Sequence, residues 1–264
     1  MKTEEFIIES GTKQVRCTLA LPERSSRSKD SGLLVNISAT AHYALHDPTQ
    51  NHPTGPFLEA GHYVLSFDLP HHGERVGKFG EGLEGLGKAF LAGDDPFQQF
   101  IADGKSAIDR CLEKGIANAG NIVSYGVSRA GYCLLRLAAV DSRVRAVAGL
   151  SPVTDWGILE AQFVSPKSLT GPLQISRWVD PLADKAIYLS VGSQDDIVGT
   201  QECVQFAMKL FEKQRKSLPK DILLNELHVV NSPGHSPGKY WRLDATRFLL
   251  DFCHKLTESP GIKS

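Results

Sequence analysis

Cysteine is sparse. Five residues, Cys17, Cys111, Cys133, Cys203 and Cys253, are scattered along 264 positions with no Cys-x-x-Cys pair. An odd number at such spacings excludes a disulfide framework or a thiolate zinc site and leaves buried free thiols. An excess of charge of either sign is also lacking. The formal net charge is −1, so no basic surplus exists to neutralise phosphates, and nucleic-acid binding has no electrostatic support. The one basic run, Lys209 to Lys216, reads as the solvated face of a helix. No stretch approaches the ~18 consecutive apolar residues of a membrane span. Met1 to Ser10 lack the apolar core of a signal peptide, and a cytoplasmic protein is the expectation. Dinucleotide and Walker-type phosphate motifs are missing, so no cofactor is expected. Nor is a metal: no nearby carboxylate or cysteine completes a site with His71 and His72. His42 and His46 share a helical spacing, but Pro48 follows closely and the stretch reads as loop.

Hydrophobic residues make up 41% and charged residues 22%, enough apolar material for a sizeable core. No repeat or low-complexity linker divides the chain, so residues 1–264 are expected to form a single domain. Short apolar runs at 6–8, 15–20, 33–37, 62–67, 121–125, 144–150, 186–191 and 223–230 read as strands. Several are continuous rather than alternating, which suits a parallel sheet covered by helices on both faces. Helical patterns lie at 97–113, 131–140, 200–216 and 240–256, the first opened by Asp95 and Pro96. Strands alternating with helices predict a mostly parallel, doubly wound α/β fold with a short antiparallel entry. Two excursions fit neither pattern. Residues 75–94 are glycine-rich and read as a long loop or loosely helical insertion. Residues 155–180 carry Trp156, Phe163 and Trp178 without clean periodicity, and read as a lid-like segment whose aromatics line a substrate pocket.

The chemistry-bearing residues fall at the expected strand ends. In Gly126-Val-Ser-Arg-Ala-Gly131 the strand stops and a helix starts around Ser128. Small residues at Gly126 and Ala130 let backbones close in on so tight a turn, which exposes the serine hydroxyl and aims helix-start N–H groups beside it. The Arg129 N–H is the expected donor to an oxyanion. A serine needs a base, and the base needs an orienting acid. Asp195 and Asp196 follow the strand ending near Val191, and His235 sits in a glycine- and proline-rich loop after the last strand. Asp155 is a third candidate acid, although an aspartate opening an apolar stretch is commonly a helix cap. The order serine, aspartate, histidine puts each group past the C-terminal end of a strand, where open α/β sheets bind their ligands.

These motifs resemble the α/β-hydrolases, particularly the esterase and prolyl-oligopeptidase-like branch. That branch carries a Gly-x-Ser-Arg-Gly-Gly elbow, matched here from Gly126 to Gly131 except at Ala130. Its acid turn, Gly-x-x-Asp-x-x-Val, is matched by Gly192, Asp195 and Val198, and its Gly-His pair by Gly234 and His235. Asp68-Leu-Pro-His-His-Gly73 echoes its fourth-strand motif. The resemblance implies the α/β-hydrolase fold and a serine hydrolase with Ser128 as nucleophile, His235 as base and Asp195 as acid. A small-molecule carboxylic ester is the implied substrate; a peptidase or amidase with the same triad, or a non-catalytic binder of the same fold, are the alternatives. The branch usually takes its second oxyanion N–H from a His-Gly after the third strand. Here Asn36-Ile-Ser-Ala-Thr-Ala41 has no glycine, and the donor falls to Ser38–Thr40, with Ala39 the central choice.

Overall fold

A computed structural model describes residues 1–11, 13–23, 31–159, 167–219, 224–235 and 238–258. Eight strands form one sheet in the order β1-β2-β4-β3-β5-β6-β7-β8. The entry is antiparallel: β1 (Lys2–Ser10) pairs with β2 (Lys13–Leu21), and β2 with β4 (Tyr63–Phe67). All later pairings are parallel, joining β3 (Leu33–Ile37), β4, β5 (Ile122–Val127), β6 (Val144–Leu150), β7 (Ala186–Gly192) and β8 (Asn225–Val230). β3, β4 and β7 are buried at every residue, the burial that a continuous apolar run requires.

The alternation of side chains along each strand separates two cores. On one face Leu33, Val35, Leu65, Val147 and Leu189 pack with Phe97, Phe100 and Ile108 of α4 (Pro96–Glu113), with Leu134 and Leu137 of α5 (Arg129–Val140), and with Phe206 and Leu210 of the 200–217 helix. On the other, Leu34, Val64, Tyr125, Ala148 and Tyr188 meet Leu45, Phe57, Trp241 and Leu249. Leu45 and Phe57 come from α1 (Ala41–His46) and α2 (Thr54–Glu59). α4 starts where its sequence signals place it: the Asp95 carboxylate accepts the N–H groups of Phe97 and Gln98, and Pro96 fills the first turn.

Three local expectations are corrected or narrowed. Residues 41–46 are a helix, capped by Thr40 and ending before Pro48, so the proline terminates it rather than preventing it; the His42 and His46 rings lie 5.1 Å apart on its face. Within the glycine-rich 75–94 excursion, Gly82–Leu91 forms α3, which buries Leu86. The third correction concerns residues 155–180. Their described parts are short helical turns, including α6 (Lys167–Thr170) and α7 (Val179–Leu182), followed further on by α8 (Thr200–Ser217) and α9 (Lys239–Glu258). Trp156, Leu159, Leu173, Ile175 and Leu182 are buried in the α4–α5 core.

Candidate active site

β5 delivers Ser128 into a sharp turn at φ 58°, ψ −124°, and α5 starts at the next residue. A serine in that positive-φ region costs about 1–3 kcal/mol and persists only where its surroundings hold it. Here the Ser128 N–H donates to Leu150 O at the end of β6 (2.8 Å), and its carbonyl accepts the N–H groups of Tyr132 and Val153 (both 3.2 Å). The turn also closes tightly on Gly126. A Cβ there would stand 2.9 Å from both Ala130 C and Gly131 N, so no larger residue fits beneath the serine.

Asp195 and His235 come from the ends of β7 and β8. The two segments are laced by Ser193 N–H to Val230 O (2.8 Å) and Gln194 N–H to Ser232 O (3.2 Å). Gly192 is needed for this approach, since a Cβ on it would lie 2.3 Å from Gly234 O. The Asp195 carboxylate is fully buried. Its Oδ1 accepts the N–H groups of Ile197 and Val198 (both 3.1 Å), and its Oδ2 lies 2.9 Å from His235 Nδ1. Burial alone would raise its pKa. The hydrogen bonds from His235 and the Val198 N–H outweigh that and hold it below the ordinary carboxylate value. Asp195 is thus an ionised acceptor across the neutral range, with His235 Nδ1–H as donor.

Ser128, Arg129 and His235 line one cavity of about 220 Å³, together with Ser38, Ala39, Gln50, Val127, Ala130 and Arg242. The expected nucleophile, base and both expected oxyanion residues therefore border the same space. The other two aspartates lie elsewhere. Asp196 is exposed. Asp155 accepts the Gly157 N–H (2.8 Å) and the Gln174 amide (3.3 Å), the cap of its own helical turn.

The expected pocket aromatics are not brought to this cavity. Trp156 is wholly buried, with its ring 4.8 Å from Phe97 and 5.2 Å from Tyr132, so it fills core. Trp178 is half-buried under the Arg136 guanidinium, 3.7 Å from its ring centroid. Neither borders the cavity, because tertiary partners on α4 and α5 claim both rings. Phe163 lies outside the described residues. His71 and His72 form the turn after β4. His72 Nδ1 lies 2.9 Å from Pro70 O, and burial, with the nearby Arg129 charge, lowers its pKa to about 4. The residues that sequence reasoning missed are Gln50 and Arg242. A glutamine in a loop and an arginine in the first turns of a helix are ordinary surface choices, and only the fold brings them beside Ser128.

Sheet order, strained serine turn and strand-end placement are those of the α/β-hydrolase fold, and solved structures of that fold superpose on the chain. Est1E from Butyrivibrio proteoclasticus does so with a TM-score of 0.66 at 13% identity, over 96% of this chain and 99% of that one. A cold-adapted esterase from an Arctic intertidal metagenomic library gives 0.67 at 17% identity, over 97% and 93%. Porphyromonas gingivalis dipeptidyl peptidase 4 gives 0.72 at 17% identity, over 94% of this chain but 35% of that one, so the chain spans only a minor part of that peptidase. At these identities the likeness is one of fold. No protein-family model matches the sequence, and neither does any curated protein.

Proposed function

We propose that the protein is a serine hydrolase that cleaves small carboxylic esters through Ser128, His235 and Asp195. One observation carries the reading: the strained Ser128 shares a cavity with a histidine whose Nδ1 is fixed by a buried, ionised aspartate. In this scheme His235 Nε2 takes the Ser128 proton as Oγ bonds to the ester carbonyl carbon. The tetrahedral oxyanion is held by the Arg129 N–H at the start of α5 and an amide at Ala39, with each donor worth about 3 kcal/mol in the transition state. Collapse breaks the bond to the alkoxy group, which leaves with the proton from His235. Water then attacks the acyl-enzyme by the same base, releasing the acid and restoring Ser128. Asp195 keeps the imidazole in the working tautomer and offsets its positive charge.

The esterase neighbours support ester over amide, and their chains match this one nearly end to end. A peptidase with the same triad is the second reading, supported by the dipeptidyl peptidase likeness. The five buried free thiols fit a reducing compartment and hence a cytoplasmic enzyme. Among the described residues no helix is long and apolar enough to cross a membrane.

The test is Ser128→Ala. Turnover of p-nitrophenyl esters should fall by at least ~10⁴-fold, and covalent labelling by a fluorophosphonate should vanish, with the thermal midpoint little changed. Retention of more than a few per cent of activity would remove Ser128 from the chemistry. A matched panel of p-nitrophenyl esters and p-nitroanilides separates the two readings, and failure of wild type to take the fluorophosphonate would leave a ligand binder.

A further inference from the structure

The second oxyanion donor has to come from a segment without glycine. Ser38, Ala39 and Thr40 lie between β3 and α1, and Ser38 and Ala39 border the Ser128 cavity. None of the three takes a positive φ. Their far end is set by α1: the Thr40 hydroxyl accepts the Tyr43 N–H (3.2 Å) and its carbonyl accepts the Ala44 N–H (3.0 Å). A capped helix fixes Thr40 but not the direction of the amides before it. An oxyanion donor must be aimed before the reaction starts, so something else has to hold those amides.

The hold comes from the side, through the turn after β4. The Leu69 N–H donates to Ala39 O (3.1 Å), and the Ala41 N–H donates to Asp68 Oδ1 (2.8 Å). Ala39 is therefore gripped at its own carbonyl and, two residues on, through a carboxylate. That carboxylate is braced in turn, because its Oδ2 accepts the Glu74 N–H (3.0 Å). The turn curls back far enough for this because His71 and Gly73 both take left-handed backbone, at φ 62° and 54°. A histidine in that region persists only where its surroundings hold it. A Cβ on Gly73 would overlap Asp68 Oδ2 and stand 2.8 Å from Thr40 Cγ2, so the two segments meet with no room for a side chain between them. One carboxylate thus joins Ala41 on one segment to Glu74 on the other, and an N–H bonded to an ionised acceptor is the stronger kind of hydrogen bond. Asp68 does not border the Ser128 cavity. It faces a separate one of about 430 Å³, shared with Thr40, Ala41 and Glu74. Any effect of its carboxylate on the chemistry passes through the 38–41 backbone.

We infer that Asp68 is a positioning residue for the oxyanion site: its carboxylate holds the Ser38–Ala41 backbone so that the Ala39 N–H stays aimed at the oxyanion formed on Ser128. This rests on the hydrolase reading above.

p-Nitrophenyl acetate and its thiono analogue, with sulfur in place of the carbonyl oxygen, separate positioning from mere folding. Sulfur accepts an N–H poorly, so an aligned oxyanion site favours the oxygen ester and a misaligned one loses that preference. Asp68→Ala should lower kcat on the oxygen ester by about 10- to 100-fold, short of the ~10²–10³-fold cost of losing a donor outright, with KM near wild type. The oxygen-to-sulfur ratio of kcat should fall by a similar factor. Asp68→Asn keeps one acceptor oxygen and should recover part of both. Arg75→Ala is the control. It unties the same turn at the Asp68 carbonyl without touching the carboxylate, and should leave the ratio at its wild-type value. Equal losses on both esters in Asp68→Ala, or the same fall of the ratio in Arg75→Ala, overturns the inference. If Asp68→Ala does not fold, Asp68→Asn decides: a single carbonyl oxygen cannot serve the two N–H groups as the carboxylate does, and a ratio equal to wild type overturns it. Failure of the hydrolase reading shows separately, in wild type, as absence of fluorophosphonate labelling and of turnover of either ester, and the inference falls with it.

Discussion

Asp103 and Asp195 are both buried carboxylates, and each grips a basic side chain. Asp103 Oδ2 meets Arg75 Nη2 at 2.6 Å while its Oδ1 accepts the Gln99 amide at 2.7 Å. Arg75 donates through its other Nη to Asp68 O (2.8 Å), and the two bonds tie the turn after β4 to α4. Asp195 is built from similar parts, with two backbone N–H groups on one oxygen and a base on the other. There the base is an imidazole, fixed at one nitrogen while the residue borders the Ser128 cavity. The materials are alike and the outcomes differ. A buried acid whose partner also grips a backbone carbonyl of a neighbouring turn is a fastener. A buried acid whose partner borders the same cavity as the proposed nucleophile is placed to take part in chemistry.

That contrast is breakable. Asp195→Asn should lower kcat by ~10⁴-fold while the enzyme stays folded, because the imidazole loses its tautomer and its counter-charge. Asp155→Asn and Asp196→Asn should remain within about tenfold of wild type, since neither touches His235 and loss of a triad acid is far larger. A crippled Asp155→Asn enzyme would move the acid to the end of β6 and dissolve the comparison. Arg75→Ala should do the reverse. Stripping the partner from a buried carboxylate costs about 3–5 kcal/mol, read as a lower urea midpoint, with kcat unaltered below the unfolding transition.

His72 sharpens the contrast as a base of the fastening kind. It is buried and neutral when folded, with a pKa near 4, while in the unfolded chain it takes a proton at about 6.5. The unfolded state therefore binds more protons between those values, and stability should fall as pH drops from about 6.5 to 4, by about 3 kcal/mol in total. His72→Gln should flatten that slope. Asp195 acts in the opposite sense of titration: its lowered pKa contributes stability above the ordinary carboxylate value, lost only as pH falls through the folded one. Urea midpoints measured from pH 7 to 4 separate the two, and an equal slope in the His72 variant would remove it from the account. Smallest of the effects is Trp178→Ala. Losing the stack under Arg136 should cost about 0.5–2 kcal/mol beyond lost burial and leave the preferred ester chain length unchanged. A shifted chain-length profile would return residues 155–180 to the pocket.

The sheet was legible because each parallel strand is a short continuous apolar run, and runs such as 33–37 and 144–150 coincide with β3 and β6. α4 was legible from period and cap, and α5, α8 and α9 fall on the helical stretches read at 131–140, 200–216 and 240–256. α1 and α2 were not, since six residues give too few turns to show a period, and Gly55 and Pro56 sit inside the second. Ser128, Asp195 and His235 could be picked out because each follows a strand run, and the fold brings His235 Nδ1 to 2.9 Å from Asp195 Oδ2 and Ser128 and His235 to one cavity. Trp156 and Trp178 were misread for a physical reason. An aromatic cluster without periodicity looks the same whether it faces a ligand or Phe97 and Tyr132, and those partners are distant in sequence. Arg242 carried no local signal, because its meaning depends on where α9 docks.

The cysteines, buried free thiols throughout, have a use as reporters. All five are buried, and burial pushes the thiols of Cys111, Cys133, Cys203 and Cys253 up to about 12, so a thiol reagent meets almost no thiolate in the native protein. Cys17, Cys111 and Cys133 belong to the core on the α4–α5 side, and Cys253 to the core under α9. Each side of the sheet thus carries its own chemical clock. Pulsed alkylation read by mass spectrometry would date the opening of the two layers separately, in the untouched wild-type chain.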